Sequence, residues 1–391
     1  MKVLYVSPFP PLRDGIGDYT YMLTSAIKAE GNEVRVLMPY AVPDMGREVL
    51  GAFTSADYLP GKLQHSVVEW KPDVVHVQFA IAAFGMRTIA LMRWLGAMRR
   101  DLNAPLVVTM HELSRESALL RAVGRAVHRG VVRRSDHLIV HSGLARTTLI
   151  AEVGLPDIAV SVIPHPSARP LNVSSAGGDL RGRFALGKAR ILLAFGFIHA
   201  DKGLDDLIRA LILLRKARAD CLANLRVVVA GDVRPRRGLF RALEARDRLY
   251  RMRMVRRIKR HRLGDLFVVT GYVPDGEVAG WFGIADAAVL PYRHAENSGV
   301  EGLARAFNVP VLVSAVGGLA EHASAQQWTF PPDTAELLAD AIDSFLTTTP
   351  AGPPRDIAWP GSADLGPVTA LTLDVYHAAT AARQVRAPNV A

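Results

Sequence analysis

The strongest constraint on the fold is an alternation of short, β-branched apolar runs with longer segments of helical periodicity. The runs are Val3–Val6, Glu33–Met38, Val74–Gln78, Leu106–Met110, His137–His141 and Val160–Ile163, with a helix expected to begin near Tyr19. Such alternation argues for a parallel sheet covered by helices on both faces. A polar, glycine-containing stretch from Pro166 to Gly182, with Asn172, Ser174, Ser175, Gly177 and Gly178, then interrupts the pattern and has the composition of a linker. A second alternation follows, with strands expected at Ile191–Phe195, Leu225–Ala230, Leu266–Thr270, Ala287–Leu290 and Val311–Val313. The last helical pattern, Val368–Ala382, comes after Pro350, Pro353, Pro354 and Pro360. The expected architecture is α/β: two Rossmann-like domains facing across a cleft, residues 1–170 and 183–362, with residues 363–391 forming a C-terminal helix that returns to the first.

A chain of 391 residues is long enough for two such cores. The single cysteine, Cys221, cannot form an internal disulfide, and no Cys/His spacing resembles a zinc site, so no metal is expected. The apolar run at the N-terminus meets Pro8, Pro10 and Pro11 too soon for a signal peptide and reads as a first strand. No apolar run reaches the roughly 18 residues of a spanning helix. A cytoplasmic protein is therefore expected. The net charge of +10 favours anionic partners without saying which.

In open α/β sheets ligands sit beyond the carboxyl ends of the strands, so chemistry is sought in those loops. After Phe195 comes Gly196-Phe197-Ile198-His199-Ala200-Asp201-Lys202-Gly203 and then a helix. Gly203 would let backbone approach a ligand, and Lys202 sits where a cation could meet a phosphate at a helix start. The stretch from His294 to Pro310 repeats the logic: Ser298-Gly299 would open a helix whose first amides can bind anionic oxygens. An exposed loop lysine and a plain helix cap would look the same in sequence. In the first half, Gly15-Ile16-Gly17 opens a helix without the three-glycine dinucleotide fingerprint. His111-Glu112 ends the Leu106–Met110 strand, and His111 is better placed than most of the other eleven histidines.

Taken together, these residues resemble the family 4 glycosyltransferases, which have the GT-B fold of two Rossmann domains and retain anomeric configuration. The likeness covers almost the whole chain. It rests on the order and spacing of Pro10-Pro11 with Gly15-Ile16-Gly17, Pro72-Asp73-Val74-Val75-His76, Thr109-Met110-His111-Glu112, Val162-Ile163-Pro164-His165-Pro166, Phe195 to Ile198 with Lys202-Gly203-Leu204, Gly271-Tyr272-Val273-Pro274, Ala285-Asp286 with Leu290-Pro291, and Pro310 with Gly317-Gly318. The resemblance implies sugar transfer from a nucleoside-diphosphate-sugar, with no further cofactor, to an acceptor glycan, lipid-linked sugar or small molecule. It implies that His111, Lys202 and Glu296 are catalytic. It implies donor binding by Gly15, Ile16, Gly17, Gly196, Phe197, Lys202, Tyr272, Val273, Asn297, Ser298, Gly299 and Val300.

Two departures matter. Phe197 stands where the family commonly has an arginine, leaving His199, Arg293 or Arg13 as substitutes. Counting seven residues back from Pro310, where the family's ribose-binding glutamate is expected, gives Leu303. Glu301 is two positions away, about 200° around a helix, and cannot simply replace it. A GT-B epimerase and a nucleotide-sugar-binding protein without catalysis stay open as alternatives. Arginines crowd two further segments, Arg241–Arg262 and Arg115–Arg134; the second is a candidate basic surface for the inner face of the cytoplasmic membrane. Neither run interleaves aromatics beyond Phe240 and Tyr250, which argues against nucleic acid.

Overall fold

The computed structural model describes the chain except for Arg13 and residues 54–60, 112–117, 155–158, 166–178, 237–240, 296–297, 320–326, 351–364 and 387–391, together with the side chains of residues 61–63, 86, 118–123 and 152. It divides into two units: Met1–Pro166 with Asp364–Ala391, and Ser167–Ala363.

The first unit is built on β1 (Lys2–Val6), β2 (Glu33–Met38), β3 (Val49–Ala52), β4 (Val74–Phe79), β5 (Leu106–Met110), β6 (His137–Val140) and β7 (Ala159–Val162). Their order is β3-β2-β1-β4-β5-β6-β7, and every pair is parallel. All residues of β4 and β5 are buried, as continuous apolar runs require when helices cover both faces. One face packs Leu4, Val6, Val77 and Phe79 against Trp94 and its neighbours. The other packs Val3, Tyr5, Val107 and Ile139 against Tyr19 of the Gly15–Ala29 helix and Tyr376 of the Gly366–Arg386 helix.

The second unit repeats the plan with β8 (Arg190–Phe195), β9 (Leu225–Ala230), β10 (Phe267–Gly271), β11 (Ala287–Leu290), β12 (Val311–Ser314) and β13 (Gln327–Phe330). The order is β10-β9-β8-β11-β12-β13, again parallel throughout. The doubly wound α/β class expected from the sequence is the observed one.

Two features differ from expectation. The edge strands β3 and β13 carry too little apolar signal, Val-Leu-Gly-Ala and Gln-Trp-Thr-Phe, to stand out in the sequence. The first helix opens at Gly15, as the Gly15-Ile16-Gly17 segment suggests, and not near Tyr19 where the apolar periodicity begins, because the Asp14 carboxylate caps it by accepting from the amides of Ile16 (2.9 Å) and Gly17 (3.4 Å).

In each sheet the chain winds one way and then the other, reversing between β1 and β4 in the first unit and between β8 and β11 in the second. Loops diverge at the carboxyl ends of such strand pairs and leave a crevice there, the general ligand position of this architecture.

Candidate active site

At the β8/β11 reversal the second unit brings together Gly196, Phe197, Lys202, Ser298, Gly299 and Val300 of the expected donor-binding residues. Gly203 is left-handed (φ 60°), and a Cβ there would lie 1.8 Å from the carbonyl oxygen of Pro291, so only glycine lets the loop after β8 cross the loop after β11. Gly231 is equally constrained: a Cβ would meet the Gly196 carbonyl oxygen at 1.9 Å. The crossing seats the half-buried Lys202 with its Nζ 3.6 Å from the centre of the Tyr292 ring. Tyr292 in turn lies 3.4 Å, hydroxyl to hydroxyl, from Ser298.

Ser298 caps the Gly299–Ala306 helix, its backbone and side-chain oxygens accepting from Glu301 and its backbone oxygen from Gly302. The amides of Gly299 and Val300 lead that helix and have no acceptor among the described residues. Gly196 is adjacent, since a Cβ built on it would lie 3.6 Å from Val300 Cγ2. A cation and two helix-start amides are therefore linked through Tyr292 and Ser298, an arrangement suited to phosphate oxygens. Tyr272 is exposed just beyond β10, whereas the Val273 side chain is committed to the core. Glu296 and Asn297 lie outside the described residues, as does Arg13.

Charge partners separate the cations here. Among the described residues no carboxylate pairs with Lys202. Arg293, one of the expected substitutes for the missing arginine, instead bonds Asp205 (2.7 Å), Asp206 (2.9 Å) and Asp333 (2.6 Å). Burial pushes the Asp205 carboxyl up, but hydrogen bonds from Arg293 and Tyr250 outweigh it and hold the group below its ordinary value. Asp206 is raised, by burial first and then by the Asp205 charge. Arg293 is thus occupied in holding these acids together. His199 faces Asp201 at 3.3 Å.

A residue that sequence reasoning passed over is Arg234, in the loop after β9, whose guanidinium lies 5.3 Å from the centre of the Phe197 ring. Only the pairing of β8 with β9, continued by the Ile198 amide donating to Asp232, brings it there. Leu303 packs against the core, and Glu301 is buried in an ion pair with Arg305 one turn on.

The first unit offers a different chemistry at its own reversal. Gly17 packs its helix start on the loop after β1, and a Cβ would lie 3.3 Å from the Pro8 carbonyl carbon; Gly15 faces open space. Ile16 packs on the core. His111, just past β5, is flanked by His141 and by the ring of Tyr19, which also meets His165. Burial and then the neighbouring imidazoles hold His111 well below the ordinary histidine range. Those surroundings favour the neutral ring. In the basic runs, Arg125 and Arg129 are exposed on the Ala118–Val132 helix and Arg133 just after it, and no helix among the described residues is long and apolar enough to cross a membrane.

Two doubly wound parallel units of this kind make the GT-B architecture. The chain superposes on sucrose-phosphate synthase from Thermosynechococcus elongatus with a TM-score of 0.73 at 17% identity, over 98% of this chain and 100% of that one. It superposes on Anabaena HepE in complex with UDP with a TM-score of 0.70 at 17% identity, over 97% and 100%. The model of glycosyltransferase family 4 matches residues 13–166, and that of glycosyl transferases group 1 matches residues 180–355. The chain belongs to the family 4 glycosyltransferases. It is 29% identical over 282 residues to the D-inositol 3-phosphate glycosyltransferase of Kineococcus radiotolerans, covering 69% of this chain but only 59% of that relative. It is 27% identical over 394 residues to the glycogen synthase of Mycobacterium tuberculosis, covering 88% and 86%.

Proposed function

We propose that the protein moves a sugar from a nucleoside-diphosphate-sugar to an acceptor hydroxyl, with retention of configuration and without a metal ion. The supporting observation is Lys202: a cation with no carboxylate partner among the described residues, resting on Tyr292 beside the Ser298–Val300 helix start. As the bond from the anomeric carbon to the phosphate oxygen breaks, negative charge builds on the leaving diphosphate. Lys202 and the Gly299 and Val300 amides stabilise that charge more in the transition state than before it. The acceptor oxygen bonds to the anomeric carbon on the same face, and its proton passes to the departing phosphate oxygen. Glu296 and Asn297, immediately before Ser298 in the chain, are assigned to the sugar side. The names of the relatives bring phosphorylated cyclitols and glucans forward as acceptor classes.

Isothermal titration tests the donor half of this reading. A nucleoside diphosphate is expected to bind at least about tenfold, or 1.4 kcal/mol, tighter than its monophosphate, because only the second phosphate completes the contacts with Lys202 and the helix start. Equal affinities for diphosphate, monophosphate and free nucleoside would remove the crevice from the account.

A further inference from the structure

The polar groups buried on one face of the first sheet form a single connected chain. The hydroxyls of Tyr5 and Tyr376 are 2.6 Å apart, and the Tyr376 hydroxyl is 2.6 Å from His76 Nδ1. His76 Nε2 is 2.8 Å from Thr109 Oγ1 and 3.3 Å from the Gln78 carboxamide. The other end of that carboxamide is 2.7 Å from His111 Nε2. His111 Nδ1 is 3.3 Å from His141 Nε2, and His141 Nδ1 is 2.9 Å from the Ile163 carbonyl oxygen. Register explains the contiguity: Tyr5 lies opposite His76, Gln78 opposite Thr109, and Thr109 opposite Ile139. His111 and His141 each follow two residues on, on the same face.

Counting donors fixes how this chain is wired. The Ile163 carbonyl can only accept, so His141 carries its proton on Nδ1 and offers a lone pair at Nε2. His111 must then donate from Nδ1, which leaves its Nε2 as an acceptor when the ring is neutral. The structure turns the Gln78 amide oxygen to His111 and its nitrogen to His76. In that orientation three N–H donors are needed where two neutral imidazoles supply two, so the His111–His141 pair would have to hold an extra proton. A half-turn of the carboxamide exchanges its two ends and removes the conflict without a charge. Every contact then has a donor: Tyr5 donates to Tyr376, Tyr376 to His76, the single His76 Nε2–H is shared between Thr109 Oγ1 at 2.8 Å and the turned Gln78 oxygen, Gln78 donates to His111, His111 to His141, and His141 to Ile163.

We propose that Gln78 is a positioning residue that donates its amide proton to His111 Nε2 and so fixes His111 as the Nδ1–H tautomer within a one-way hydrogen-bond relay. Among the described residues, the titratable groups facing the His111–His141 pair are Tyr19 from the first helix, His165 beyond β7 and His76 from β4. With both ring nitrogens engaged, His111 has no N–H to give a substrate. Its service to the donor sugar, which rests on the transferase reading above, is then that of a rigid neutral ring and not of a proton donor.

Long-range ¹H–¹⁵N correlation spectra of the full chain with ¹⁵N-labelled histidine test this, with assignments from His111→Phe and His141→Phe. At pH 7 the wild type should show a pyrrole-type Nδ1 and a pyridine-type Nε2 for His111 and His141, and the reverse pattern for His76. A pyrrole-type Nε2 on His111, alone or with a pyrrole-type Nδ1 as in an imidazolium, would overturn the proposal. In Gln78→Glu the side chain can only accept, so the pair should take up a proton and become an imidazolium at a pH where the wild type is neutral. A folded Gln78→Glu with an unchanged imidazole pattern would also overturn it. These readouts do not involve turnover: a chain inactive on every nucleotide sugar could still show the relay, and an active one could lack it.

Discussion

Replacing Lys202 by alanine is expected to lower kcat/KM for the nucleotide sugar by about 10²- to 10³-fold, the usual loss when one preorganised donor to a developing anion is removed. The fold should survive it. Lys202 is half-buried, and its contact with the Tyr292 ring is worth only about 0.5–1 kcal/mol at a partly exposed site. For a unit of this size, that corresponds to a Tm shift of a few degrees. Initial rates under donor-limited conditions, with Tm measured alongside, separate the two effects. A variant that keeps more than half of the wild-type kcat/KM would remove Lys202 from the chemistry. Arg293 makes the contrast: with three carboxylates around it, its loss would act through folding rather than through the donor.

Acidification is expected to unfold the first unit well before ordinary carboxylates protonate. Burial, then the charge of His141, pushes His76 down to about 3, and burial, then His165, pushes His141 down to about 3 against a partial opposing pull from the Ile163 carbonyl. His111 is lowered in the same sense. Each of these bases has a depressed value in the folded state, so each contributes stability that is fully present above its unfolded value near 6.5. That contribution is lost as pH falls from there toward about 3, where His76 and His141 take up their protons in the folded state. Each proton carries about 1.4 kcal/mol per pH unit, so three together approach about 4 kcal/mol per unit, against a domain stability of about 5–15 kcal/mol. Asp206 works in the opposite sense, since its raised value favours the folded second unit at low pH. Urea midpoints followed by near-ultraviolet circular dichroism should fall steeply between pH 6.5 and 5. A midpoint that is flat over that interval would mean the relay is hydrated or already charged.

What the sequence made legible follows from where each residue sits. The central strands were readable to within one residue because both faces are covered, leaving runs such as Leu-Val-Val-Thr-Met at β5 and Leu-Arg-Val-Val-Val-Ala at β9. β3 and β13, unlike the other two edge strands β7 and β10, carry too little β-branched apolar sequence to give a comparable signal. Lys202 and Ser298 could be singled out because glycine and capping residues mark loops at strand ends. Gln78 reads in sequence as one more strand position. Its importance depends on the register of three strands and on a tyrosine 300 residues from His76 in the chain. Arg234 was hidden for a related reason: its partner ring belongs to the neighbouring strand's loop.

The central claim, that the second unit holds a diphosphate so that a sugar can leave it, is tested most directly by mass spectrometry. The wild type and Lys202→Ala would be incubated with a panel of nucleoside-diphosphate-sugars and a mixture of cyclitol phosphates, glucans and simple glycosides. The account predicts that one donor yields free nucleoside diphosphate and an acceptor heavier by one sugar residue, and that the Lys202→Ala chain yields about a hundredth of it or less. Tight binding of a donor with no turnover on any acceptor or water, or turnover equal in the two chains, would contradict it.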